Sequence, residues 1–247
     1  MKLPQEIYFF GTCLVDLLYP RAGLRGMQLI RERGVRVIYP ENQTCCGQPA
    51  FNSGYRDEAR RVARSLMSCF PRALPIVVPS GSCAGMIKHH WRELFAGEAD
   101  EPQALAVADR VYELTEFLVD VLDLKLQDLG PPLKVAIHSS CSARREMGVA
   151  DRIESLVAQL DQVEVLQQAR KPECCGFGGT FAVKQADISG AMVADKTEAL
   201  RDTGAELVIS QDCGCLMNIG GALAKQGDAT KTRHIAEFLW ERCHAPD

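Results

Sequence analysis

The chain has 247 residues, 47% of them hydrophobic, and 28 lysines and arginines against 32 aspartates and glutamates. A net charge of −4 excludes a general nucleic-acid binder, which needs a basic surplus to meet phosphates. No apolar run reaches the roughly 20 residues that span a bilayer, and Met1-Lys2-Leu3-Pro4-Gln5-Glu6 lacks a signal-peptide pattern, so the reading is a soluble, cytoplasmic protein without membrane insertion.

In chain order, short β-branched or aromatic runs stand just before cysteines. Residues 7–10 precede Cys13, residues 35–39 precede Cys45 and Cys46, and residues 76–78 precede Cys83. Between them, apolar residues at 55, 59, 62, 66, 67 and 70 keep a helical period, with arginines on the other face. Residues 97–102 read as an acidic surface loop and 109–124 as a helix. Gly130-Pro131-Pro132 breaks both helix and strand, and divides the chain into halves 1–128 and 129–247. In the second half, strands at 135–137, 163–166 and 207–209 precede Cys141, the pair Cys174-Cys175, and Cys213. Helical patterns cover 153–160, 188–200 and 234–240. Strand, loop and helix thus alternate three times per half. This predicts an α/β fold of two homologous halves related by a pseudo-twofold axis, each a small parallel sheet flanked by helices.

The eleven cysteines carry the functional signal. An odd count in a reducing compartment argues against a disulfide framework. Cys13 to Cys141 is 128 residues, Cys45 to Cys174 is 129, and Cys83 to Cys213 is 130. Cysteines buried at random would not keep that register, so it is an internal repeat. All eight fall just past strand ends, and the carboxyl edge of a parallel sheet is where ligands bind.

Four thiolates per half can hold a four-iron, four-sulfur cluster or a zinc ion. The chain has no Cys-x-x-Cys knuckle, and adjacent cysteines suit a cluster of several irons better than one tetrahedral ion. Glycines beside the ligands, among them Gly47, Gly81 and Gly176, let backbone N–H groups approach the sulfurs of a buried anion. Two other readings stay open: a zinc-stabilised, non-catalytic interaction protein, and a thiol–disulfide enzyme using the adjacent pairs.

The two arrays, Cys13-x31-Cys45-Cys46-x36-Cys83 and Cys141-x32-Cys174-Cys175-x37-Cys213, resemble the cysteine-rich CCG domain present twice. Local strings agree, including Gly11-Thr12-Cys13, Pro79-Ser80-Gly81-Ser82-Cys83 and Cys174-Cys175-Gly176-Phe177-Gly178-Gly179. That domain occurs in a cysteine-rich component of heterodisulfide reductase, in iron–sulfur subunits of glycolate oxidase and anaerobic glycerol-3-phosphate dehydrogenase, and in the lactate utilization protein A family, which this chain most resembles. The resemblance implies an iron–sulfur oxidoreductase component; four thiolates per half then predict two [4Fe-4S] clusters, and ligands on Gly-rich loops at a sheet edge predict that air-handled protein loses them. It also implies partner proteins that together oxidise L-lactate, a small carboxylate, to pyruvate. Many relatives have cysteine where this chain has Ser80 and Ser210, and Asp-Ser-Cys-His where it has Ser139-Ser140-Cys141-Ser142. With four good thiolates left per half, both serines are expected outside the ligand set.

Among the remaining cysteines, Cys69 lies on the apolar face of its helix and reads as core, while Cys243 reads as incidental. Cys215 is a candidate spare ligand, matched by Gly85 when the halves are aligned on Cys83 and Cys213. His138, three residues before Cys141, is a structural histidine, a hydrogen-bond partner of a cluster sulfur, or a proton donor. Arg144 and Arg145 either offset cluster charge or bind a carboxylate, or they are simply the solvated start of a helix. No nucleotide-binding loop is present, so two-electron chemistry is left to a partner.

Overall fold

The apolar runs become strands in the computed structural model, which describes residues 3–245. In the first unit, Met1–Leu122, the strands are β1 (Glu6–Phe9), β2 (Arg36–Ile38), β3 (Ile76–Val78) and β4 (Val111–Glu113). In the second, Asp123–Asp247, they are β5 (Leu133–Ile137), β6 (Val163–Leu166), β7 (Leu207–Ser210) and β8 (Lys231–His234). Both sheets are parallel throughout, in the orders β2-β1-β3-β4 and β6-β5-β7-β8. The shared order is the sequence repeat in three dimensions. Central strands read Ile-Val-Val and Leu-Val-Ile-Ser and are buried along their length, as parallel strands under helices must be.

The helices follow the periods read from the sequence. Arg56–Met67 buries Ala59, Ala63 and Leu66 and turns its arginines outward. Ala150–Val157, Ala186–Arg201 and Ile235–Cys243 cover the second sheet's unit in the same way. Among the described residues, no helix is long and apolar enough to cross a membrane.

Each unit has four strands, where the sequence predicts three. β4 lies inside the stretch 109–124 that reads as one helix: Val111–Glu113 pairs with β3 before the chain turns into Leu114–Glu116. β8 is Lys-Thr-Arg-His, an edge strand with no apolar run to announce it. The acidic loop is shorter than expected. The helix Glu101–Ala108 begins within it, and Arg64 holds Glu98 at 2.9 Å and Asp100 at 2.7 Å.

Residues 123–128 lie with the second unit. Asp128 pairs with Arg242 of the last helix: Arg242 Nε donates to Oδ1 at 2.8 Å and Nη2 to Oδ2 at 2.7 Å. Nη1 of the same guanidinium donates to the Pro131 carbonyl at 2.6 Å, so one arginine fastens the proline-rich entry to β5.

Candidate metal centre

In the first unit all four candidate cysteines follow the carboxyl ends of strands. Cys13 opens the helix Cys13–Leu18, directly past β1. Its predecessor Thr12 is held at φ 57°, ψ 157°, a region that non-glycine residues rarely adopt. Gln43 clamps this turn: its Nε2 donates to the Phe9 carbonyl at 3.0 Å, and its Oε1 accepts from the Gly11 N–H at 2.8 Å. Cys45 and Cys46 lie in the loop after β2, and Cys83 is the third residue of the helix Gly81–Gly85 after β3. Ser80 caps that helix, its Oγ accepting from the Cys83 N–H at 3.3 Å. The thiols form a chain of contacts: Cys13 Sγ is 3.9 Å from Cys45 Sγ, Cys45 meets Cys46, and Cys46 meets Cys83. Trp91 Nε1 donates to the Cys46 carbonyl at 3.1 Å and fixes the middle of the array.

The second unit repeats this chain with one change of member. Cys141 meets Cys174, Cys174 meets Cys175, and Cys175 meets Cys215. Cys215 therefore stands where spacing alone puts Cys213. Strand register gives the reason. Val78 pairs with Glu113, which caps the next helix, and Ser210 pairs with His234, which does the same. Val78 thus answers to Ser210, and five residues on, Cys83 answers to Cys215. Cys213 answers to Gly81 and opens the helix Cys213–Lys225, of which Cys215 is the third residue. The helix N-cap positions are Ser80 and Asp212, so the counterpart of Ser80 is Asp212, not Ser210. Ser210 Oγ accepts from the Asp212 N–H at 3.3 Å, a backbone role at the strand end.

His138 joins this second array. One ring nitrogen of His138, Cys175 Sγ and Cys215 Sγ all lie within 4.8 Å of one another, and all three residues are buried. Burial, with Lys196 and Arg144 nearby, pushes the imidazole pKa down to about 3, so the ring is neutral.

Packing thiols together sets their protonation. The hydrogen bond to Cys45 and burial push Cys13 up, and hydrogen bonds to Cys45 and Cys83 together with burial push Cys46 up. Cys45 goes down, because Cys13, Cys46 and the N–H groups of Cys46 and Gly47 all favour its thiolate. Cys141 is raised by its bond to Cys174 and by burial. Without a cation these groups cannot all ionise, and a bound metal group that displaces the protons removes the conflict. The described residues include all eleven cysteines, and no disulfide among them competes for a thiol.

The glycine after each pair has a positive φ, 91° at Gly47 and 80° at Gly176, which turns the chain so that its N–H faces the thiols. Gly176 N–H donates to Cys174 Sγ at 3.3 Å. A Cβ at Gly176 would lie 2.8 Å from the Ser189 carbonyl oxygen, whereas at Gly47 the nearest atom is 3.1 Å away. Gly176→Ala is therefore expected to lose more than the roughly 1–2 kcal/mol of a left-handed L-residue. It should lower the melting temperature by several degrees, and by more than Gly47→Ala; equal, negligible shifts in a thermal scan would refute the packing argument.

Other candidates fall outside the thiol arrays. The Arg144 guanidinium donates to the carbonyls of Lys171 at 3.0 Å and Ser139 at 3.3 Å, and Arg145 is exposed. Arg144 thus braces the Cys141 turn through two of its three nitrogens, while its buried Nε has no hydrogen-bond partner. Cys69 is buried with its thiol on the Asn42 and Ser65 carbonyls, as a core residue. Lys196 is buried against Gln168, which in turn caps the Ile137 carbonyl at 2.7 Å. An open cleft beside Cys13 and Cys45 is lined by Asp16, Tyr39, Glu41 and Gln43, with Tyr39 OH donating to Asp16 at 3.0 Å.

Comparison with known proteins agrees with this architecture. Residues 7–88 and 135–220 each match the family described as CCG, cysteine-rich domain. Lactate utilization protein A of Geobacillus sp. (strain WCH70) is 44% identical over 240 residues, which is 96% of this chain and 100% of that protein. Lactate utilization protein A 2 of Bacillus cereus (strain AH820) is 40% identical over 235 residues, covering 95% and 97%. The crystal structure of a hypothetical protein from Helicobacter pylori superposes with a TM-score of 0.66 at 12% identity, over 99% of this chain and 50% of that one, a likeness of fold alone. With both copies of its cysteine array on the carboxyl edges of matching sheets, the chain belongs to the CCG cysteine-rich domain family, alongside the lactate utilization A proteins.

Proposed function

We propose that each half holds one four-iron cluster and that the chain carries electrons for L-lactate oxidation to pyruvate with partner proteins. The first site would use Cys13, Cys45, Cys46 and Cys83, and the second Cys141, Cys174, Cys175 and Cys215. The observation that carries this reading is the same ordered chain of thiols in both units, at strand ends, with glycine N–H groups beside it. A bound cluster supplies one-electron transfer. The protein's own part is to hold four thiolates, to meet their charge with backbone N–H groups, and to keep water from Cys46, Cys175 and Cys215, which are buried.

Substrate chemistry belongs to a partner on this reading. The cleft at the first site carries Asp16 and Glu41, which repel a carboxylate. The names of the relatives support the lactate assignment. A second reading has one support: His138 with Cys175 and Cys215 is a nitrogen–sulfur set that also suits zinc. Anaerobically prepared protein should show a broad absorption near about 400 nm, where thiolate-ligated iron absorbs. Lactate together with the partner proteins should bleach it, and lactate alone should not. A colourless, zinc-loaded protein would favour the second reading.

A further inference from the structure

We propose that His138 is a direct ligand of the metal group in the second half, so that this half binds through nitrogen as well as sulfur. The inference rests on the reading above, that an iron–sulfur cluster sits there. His138 follows β5, its backbone N–H bonded to the Ile209 carbonyl at 2.9 Å, and its side chain is fully buried. Neither Nδ1 nor Nε2 has a hydrogen-bond partner. A buried polar atom left so is costly, and this ring has two.

The fold does not require histidine here. Phe9 pairs with Val77 and Ile137 with Ile209, so His138 answers to Phe10 in the first half, a fully buried aromatic ring with nothing to satisfy. The two halves use the same niche for different chemistry. A neutral imidazole offers one lone pair and one N–H. The thiols of Cys175 and Cys215 are the neighbours within 4.8 Å. A hydrogen bond to a thiolate satisfies the N–H alone. If a metal takes the lone pair while a thiolate accepts the N–H, both nitrogens are satisfied at once.

The imidazole then stands beside the four thiolates as a fifth protein donor, so one iron of the second cluster carries nitrogen as well as sulfur. The test uses the whole chain, loaded anaerobically, with histidine labelled by nitrogen-15, and pulsed electron paramagnetic resonance on the reduced protein. The expected result is a strongly coupled nitrogen of the directly bonded kind, lost in His138→Phe, which copies the first half. Should that variant lose the second cluster, His138→Cys supplies a replacement ligand and should keep the iron while losing the nitrogen coupling. An iron-loaded wild-type protein with no strong nitrogen coupling, or with a weak coupling of the hydrogen-bonded kind, overturns the proposal alone. A wild-type protein without iron and sulfide overturns the cluster reading and the proposal with it.

Discussion

Cys215→Ser is expected to remove about four of the roughly eight irons that two four-iron clusters bring, while Cys213→Ser leaves the count unchanged. The spacing of the cysteines favours the opposite outcome, because Cys213 keeps the offset of the repeat to within a residue or two. Strand register decides against it. Cys83 and Cys215 each stand third in their helix, and Cys215 is the thiol that meets Cys175. Serine keeps the shape of the side chain but offers a hard oxygen whose proton is held far more tightly than that of a thiol. Iron analysis of both variants, prepared side by side without air, checks the point. Loss of iron from Cys213→Ser with Cys215→Ser intact would restore the spacing argument.

The second large effect is on stability. Asp128→Ala should destabilise the second unit by about 3–5 kcal/mol, the usual result of removing one partner from a buried ion pair. The Asp128 side chain is 1% exposed and that of Arg242 is 5% exposed, so the orphaned guanidinium would have no water to turn to. Gly130 lies so close that a Cβ there would come within 2.3 Å of the guanidinium carbon, which leaves the arginine no room to swing away. The pair also sets a pH dependence. Burial pushes the Asp128 carboxyl up, but Arg242 and the N–H groups of Gln162 and Gly130 outweigh it and hold the group below its ordinary range. A folded-state value below the unfolded one means that the stabilisation is complete above about pH 4, the unfolded carboxyl value. It fades as pH falls through the lower folded value. Denaturant unfolding of wild-type and variant should therefore differ most near neutral pH and converge in acid. A difference under about 1 kcal/mol at neutral pH, the level of a surface pair, would contradict the assignment.

Much of the architecture is legible in the sequence because its signals are local. Buried parallel strands such as Ile76–Val78 are short apolar runs, and the helix Arg56–Met67 shows its period in the order of its arginines and alanines. Two of the four edge strands, β4 and β8, are hidden for opposite reasons. Val111–Glu113 is embedded in a longer apolar pattern, while Lys231–His234 is a polar edge held by its ladder to β7. For the site, seven of the eight cysteines read from the repeat belong to the two thiol chains. The eighth, Cys213, opens the helix two residues before Cys215, and its match to Cys83 in the sequence comes from Ser80 and Ser210, which look like equivalent landmarks. They are not equivalent, since Ser80 caps a helix and Ser210 ends a strand. Counting from the ends of β3 and β7 selects Cys215 instead. The place of His138 beside the thiols cannot be read locally, because it depends on two loops brought together by non-adjacent strands.

Iron and acid-labile sulfide, counted per chain on protein prepared entirely without air, test most directly whether two chains of four thiols each hold a four-iron cluster. The expected result is about eight of each, as two four-iron, four-sulfur clusters require. One or two zinc ions per chain with no sulfide would contradict it.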